Sequence, residues 1–130
     1  PADLLFAEEI KAWKSRFDTE IEVTVDHAAP DWTGQVGVVT RPLDRALAGN
    51  NGAEVSAFVC GPEIMMEKVA EICSNPAVDC QVSMETPMAC GIGICFSCVA
   101  QVRQPGGPQE WDYKRTCVEG PVFDDEKICW

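Results

Sequence analysis

Cys90, Cys95 and Cys98 fall within the nine residues CGIGICFSC, and after eighteen intervening positions Cys117 adds a fourth sulfur in YKRTCVEGP. A C-x4-C-x2-C run with one distant cysteine is the plant-type spacing of a [2Fe-2S] cluster. Four thiolates must surround a small inorganic core, so the chain has to wrap it without side chains in the way. Gly91 and Gly93 supply that backbone freedom, and their amides can point at the sulfurs, where hydrogen bonds help to set a cluster's reduction potential. Structural zinc also takes four cysteines, but usually from paired C-x2-C knuckles, and a [4Fe-4S] site usually shows C-x2-C-x2-C. Zinc nevertheless remains the competing reading, as the staple of an interaction module with no redox role. The other cysteines, Cys60, Cys73, Cys80 and Cys129, are irregularly placed. With no signal-like basic and apolar start, the set reads as a metal site in a reducing, cytoplasmic compartment rather than a disulfide framework.

A second stretch, FVCGPEIMM at 58–66, places Cys60, Gly61, Pro62 and Glu63 where an apolar run gives way to a helical pattern. In a doubly wound sheet that junction presents backbone to a ligand. The plainer reading is a turn, with Cys60 as packing and Met65 and Met66 as core filler. His27 is assigned no role, and Trp13, Trp32, Trp111 and Trp130 share no spacing and read as packing residues.

The elements that must position these residues follow from periodicity. PADLLFAEEIKAWKSRF, with Asp3 as N-cap and Phe6, Ile10, Trp13 and Phe17 spaced by four, three and four, predicts an amphipathic helix. EIEVTVDHA alternates as a strand, and a short helix before Gly49 follows a stretch punctuated by proline and glycine. EVSAFVCGP is a nearly continuous apolar run, as a buried parallel strand would be. The next helix has Pro62 at its start, Ile64, Met65, Val69 and Ile72 on its inner face and Asn75-Pro76 as its stop, and DCQVSMET is a further strand. Strand, helix, strand, helix, strand over 20–86 implies an α/β fold with a parallel sheet. Beyond Pro87 only FSCVAQVR looks strand-like. Residues 1–86 are therefore expected to form an α/β domain, and 87–130 a small module ordered by something other than an apolar core.

A chain of 130 residues, 46% hydrophobic and 24% charged, suits one soluble unit or a domain with an appendage, and no apolar run approaches a membrane span. The net charge of −11 argues against a nucleic-acid partner, which would demand clustered Lys and Arg. Acidic residues solvate a surface in the ordinary case; they also favour a basic patch on a protein partner.

Taken in order, CGPEIMM, ETPMACGIGICFSCVAQV and YKRTCVEGPVF resemble the C-terminal half of the ferredoxin-reductase-like electron-transfer subunits of heteromeric dihydroorotate dehydrogenases. NAD-linked subunits of hydrogenases and of sulfur or sulfite reductases are related, and such a diaphorase is the alternative within the class. The resemblance implies that NADH passes a hydride to FAD and that the flavin passes single electrons through a [2Fe-2S] cluster to an FMN-containing catalytic subunit. It makes Cys90, Cys95, Cys98 and Cys117 cluster ligands and puts Cys60, Gly61, Pro62 and Glu63 on the nicotinamide side. No residue need be an acid–base catalyst. It also implies that the FAD-binding barrel and the first strand with its glycine-rich turn are missing from this sequence, which leaves 1–86 a partial NAD-binding α/β domain, a partial doubly wound sheet, followed by a [2Fe-2S] module at 87–130. The chain alone is then expected to bind flavin poorly and NADH weakly, to be inactive by itself, and to self-associate through exposed sheet.

Overall fold

A computed structural model describes residues 4–50, 53–74 and 78–130 and gives a mixed α/β chain with parallel pairing, the class expected from the sequence. Its contacts divide it into two units, Pro1–Gly49 and Asn50–Trp130. The expected N-cap at Asp3 and the stop at Asn75-Pro76 lie outside the described residues.

In the first unit, α1 (Ala7–Lys14) is shorter than its pattern. Phe6 adopts a left-handed backbone, φ 56°, and so stands outside the helix. At the other end the Ser15 hydroxyl donates to the Ala12 carbonyl, 2.6 Å, and competes for the final turn. Phe6, Trp13 and Phe17 are all exposed. β1 (Thr24–Val25) is the only part of 20–28 that becomes a strand, because its partner β2 (Gln35–Val36) is two residues long. α2 (Thr40–Ala48) holds Pro42 in its first turn, where backbone N–H groups have no partner within the helix, and ends as Gly49 N–H donates to Arg45 O.

The second unit is built on β3 (Ser56–Cys60), α3 (Glu63–Ser74) and β4 (Asp79–Ser83), a βαβ unit whose strands pair in parallel from Ser56↔Asp79 to Cys60↔Ser83. The buried face of α3 is Met66, Val69, Ala70 and Cys73, a run at i, i+3, i+4 and i+7. This corrects the expected phase, since Ile64 is 70% exposed. α3 carries apolar side chains on more than one face, and the strands it covers choose between them. β3 is likewise half open rather than fully buried, with Phe58 77% exposed on an edge strand.

The C-terminal stretch contains three strands where the sequence suggested one. β5 (Val99–Arg103) and β6 (Trp111–Arg115) form an antiparallel hairpin, and β7 (Val122–Asp124) returns antiparallel to β4, pairing Val82 with Phe123. A single 3-10 turn, Asp125–Lys127, follows, and Ile128 bridges to Val102. Ala100, Val102, Phe123 and Ile128 are buried, so this stretch does own part of the apolar core, with Val102, Phe123 and Ile128 each contributing roughly 1.5–3 kcal/mol. No helix among the described residues is long and apolar enough to cross a membrane.

Candidate metal centre

The hairpin explains how a sulfur distant in sequence reaches the other three. β5 and β6 pair Val99 with Arg115, so extending the ladder by one sets Cys98 opposite Thr116. Cys98 O accepts from the Thr116 amide at 2.8 Å and from its hydroxyl at 3.2 Å. The sulfurs of Cys98 and Cys117 then stand 3.1 Å apart. Thr116 is buried, and its hydroxyl also meets that of Thr86 at 2.6 Å, which fastens the segment leading into the cysteine loop.

The loop itself turns through Gly91, φ 68°, and Gly93, φ 81°, conformations that side chains other than glycine rarely adopt. This lets successive amides face inward. The amides of Ile92 and then Cys95, followed by the Cys95 thiol and the Ile94 amide, pull the Cys90 thiol down to about 6. Cys98 is also lowered, first by the Cys117 thiol and then by the Cys117 amide. Cys117 is raised, first by its hydrogen bond to Cys98 and then by burial, with the charges of Cys98 and Cys90 adding. One close sulfur pair, Cys98 with Cys117, is thus formed, while Cys90 stands among the amides of its own loop and its charge is felt at Cys117.

Among the described residues no three His, Cys, Asp or Glu side chains converge on one point as ligands of a single ion would. A sulfur pair at Cys98 and Cys117, set apart from Cys90 and its facing amides, fits a two-iron core, which takes two thiolates per iron, better than one tetrahedral zinc. Cys90 and Cys95 are exposed, Cys98 is buried and Cys117 is half-buried, while Cys73 and Cys80 are buried elsewhere, between α3 and β4.

The second predicted site lies at the β3–α3 junction. Cys60 is the exposed last residue of β3, and Glu63 the first of α3. Gly61 has φ 152°, a backbone that favours glycine, and the end of the Met65 side chain lies over the place a Cβ would take. Pro62 O accepts from the amides of Met65 and Met66 at 2.9 and 3.1 Å, which starts the helix directly after the turn. The parallel register sets Cys60 beside Ser83, and the chain continues from Ser83 toward Cys90. Seven residues span at most about 25 Å. The β3–α3 junction and the sulfur loop are therefore reached from the same carboxyl edge of the sheet.

Sequence reasoning missed the side chains that brace the loop. Arg115 Nη1 donates to Gly93 O at 2.8 Å, and its guanidinium carbon lies 4.9 Å from the centroid of the Phe96 ring. Nε and Nη2 donate to the Glu119 carboxylate at 3.2 and 2.7 Å. No spacing in the sequence marks Arg115, since the hairpin brings Gly93 and Phe96 to it from the far side and Glu119 reaches back from the turn that follows.

Family models match both parts of the chain: an oxidoreductase NAD-binding domain over residues 1–71 and the iron–sulfur cluster binding domain of dihydroorotate dehydrogenase B over residues 85–129. The chain is 37% identical over 109 residues to the electron transfer subunit of dihydroorotate dehydrogenase B (NAD(+)) from Caldanaerobacter subterraneus subsp. tengcongensis, covering 84% of this chain and 40% of that protein. It is 38% identical over 115 residues to the subunit of the same name from Desulforamulus reducens, covering 88% and 41%. It thus spans about two-fifths of the length of these relatives. A solved NADH-dependent reduced ferredoxin–NADP oxidoreductase, studied for flavin-based electron bifurcation, superposes with a TM-score of 0.61 at 29% identity, over 84% of this chain and 35% of that one. By these matches the chain belongs to the NAD-binding oxidoreductase family, and it joins to that domain an iron–sulfur cluster binding domain of the dihydroorotate dehydrogenase B type.

Proposed function

We propose that this chain belongs to an NADH-dependent electron-transfer subunit in which residues 1–86 serve the nucleotide and 87–130 the cluster. Cys90, Cys95, Cys98 and Cys117 would hold a [2Fe-2S] cluster, and Cys60, Gly61, Pro62 and Glu63 would face the nicotinamide. When bound, the cluster supplies one-electron exchange, which a nicotinamide, a two-electron donor, does not; a flavin, FAD in this reading, stands between the two. The observation that carries the reading is the pairing of Cys98 with Cys117 at 3.1 Å by the β5–β6 hairpin, on a segment that leaves the sheet at the Cys60 edge.

The partner we propose is the FMN-containing catalytic subunit of a dihydroorotate dehydrogenase, on the strength of the names its relatives carry. The likeness to a ferredoxin–NADP oxidoreductase supports a second reading, a diaphorase-type subunit serving another redox protein. Eight free cysteines fit a reducing compartment such as the cytoplasm, and the open β3 edge with Phe58 exposed is where self-association through the sheet would occur.

The test is metal and acid-labile sulfide analysis of anaerobically purified protein with and without Cys95→Ser, Cys117→Ser and Cys73→Ser. The first two variants lose iron and sulfide to background, and Cys73→Ser keeps both. A colourless zinc protein without sulfide overturns the reading. Co-purification with an FMN enzyme that oxidises dihydroorotate separates the two partners.

A further inference from the structure

We propose that Arg115 is the positioning residue of the cluster loop, closing it onto the Cys117 turn and holding a compensated positive charge against the sulfurs; this rests on the cluster reading above. Its contacts reach every part of the ligand set. Nη1 binds the carbonyl of Gly93, which lies between Cys90 and Cys95. The guanidinium covers the ring of Phe96, which lies between Cys95 and Cys98 and holds a left-handed backbone, φ 53°. Such a conformation costs a phenylalanine about 1–2 kcal/mol and persists only when its surroundings enforce it. The Arg115 carbonyl accepts from the amides of Val118 and Glu119 at 3.1 and 2.8 Å, which forms the turn that carries Cys117.

Glu119 completes the brace. Its carboxylate takes the Arg115 fork and also the Arg115 backbone N–H, at 2.7 Å, so the guanidinium has one allowed direction. A lysine could supply the charge but not the three-way geometry of fork, carbonyl contact and stacked plane. Arg115 is 27% exposed and Glu119 34%, partly screened rather than free in solvent.

The charge has a consequence that a purely mechanical brace does not. Reduction adds a negative charge to an already anionic group, so a nearby cation favours the reduced form and raises the potential, and a nearby carboxylate lowers it. Arg115 and Glu119 therefore act in opposite senses. Removing one unmasks the other.

The experiment uses the full-length holoprotein carrying Arg115→Met, Arg115→Lys or Glu119→Gln. Two readouts are compared with the unsubstituted protein: the reduction potential from an EPR-monitored dithionite titration, and the rate of cluster loss to an iron chelator. Arg115→Met is expected to lower the potential by a threefold or larger change in the one-electron equilibrium constant, about 28 mV at 59 mV per tenfold, and to speed cluster loss about tenfold. Arg115→Lys keeps the potential within that threefold bound while losing the cluster as fast as Arg115→Met. Glu119→Gln raises the potential. Loss rates of both arginine variants within about twofold of the unsubstituted protein overturn the brace, and an Arg115→Met potential that does not fall beyond the threefold bound, or a Glu119→Gln potential that fails to rise, overturns the charge argument. If Arg115→Met assembles no cluster, the lysine and glutamine variants still decide. Absence of iron and sulfide from the unsubstituted protein would instead defeat the cluster reading itself.

Discussion

Gly93 and Val118 face each other across the cysteine loop with no room for a side chain between them: a Cβ on Gly93 would collide with Val118 Cγ2. Gly91, two residues earlier, has an equally unusual backbone, φ 68°, but open space around it. Gly93→Ala therefore suffers both strain and collision, while Gly91→Ala suffers strain alone, about 1–3 kcal/mol. The rate of cluster loss to a chelator is expected to rank Gly93→Ala above Gly91→Ala above the unsubstituted protein. Equal rates for the two variants would remove Val118 from the account.

Cys60 ends β3 exposed at the edge from which the sulfur segment departs. Cys60→Ala in the full-length protein is expected to leave the cluster's visible spectrum intact and to slow NADH-driven reduction about tenfold, a barrier change of about 1.4 kcal/mol. Stopped-flow absorbance gives the rate. Unchanged kinetics would withdraw the nicotinamide role from this residue.

Met66 is 1% exposed and Ile64 70%, although both sit in the first turn of α3. Met66→Ala is expected to cost about 2–5 kcal/mol and Ile64→Ala no more than about 0.5. Hydrogen exchange at the α3 amides measures the difference within the folded protein. A comparable loss in both would return the helix to the phase expected from the sequence.

Burial, reinforced by the charges of Cys73 and Asp125, pushes the Cys80 thiol from 9.0 up to about 12. The unfolded chain releases this proton near its ordinary value, so above that pH the unfolded state binds fewer protons than the folded one. The resulting stability is complete below about pH 9 and drains away as pH rises toward 12. Cys80→Ala is expected to flatten this alkaline loss in urea unfolding curves taken across that window. An unaltered slope would mean that Cys80 ionises in the fold as it does in water.

The four candidate sulfurs were legible because ligand spacing is written covalently, and β3, α3 and β4 because their patterns are long. What failed were choices settled by neighbours. Ile64 and Met66 are equally good helical residues, and the strands beneath α3 select one of them. WDYKR shows no clean alternation, yet it pairs along its whole length because β5 offers it a partner. Arg115 and Glu119 stand four apart, a helical spacing, but their pairing arises where a strand runs into a turn. No periodicity announces such a brace.

Both ends of the cysteine-bearing excursion are pinned to one strand. Ser83 pairs with Val122, and the Met84 amide donates to Pro121 O at 2.9 Å, so everything between leaves β4 and comes back to it. That neck closes the segment whether or not the proposed cluster is bound, so its thiols can move only as far as a tethered ring allows. Assembly of a cluster there would start from ligands already confined near one another, with the loop-closure entropy already spent in folding the strands.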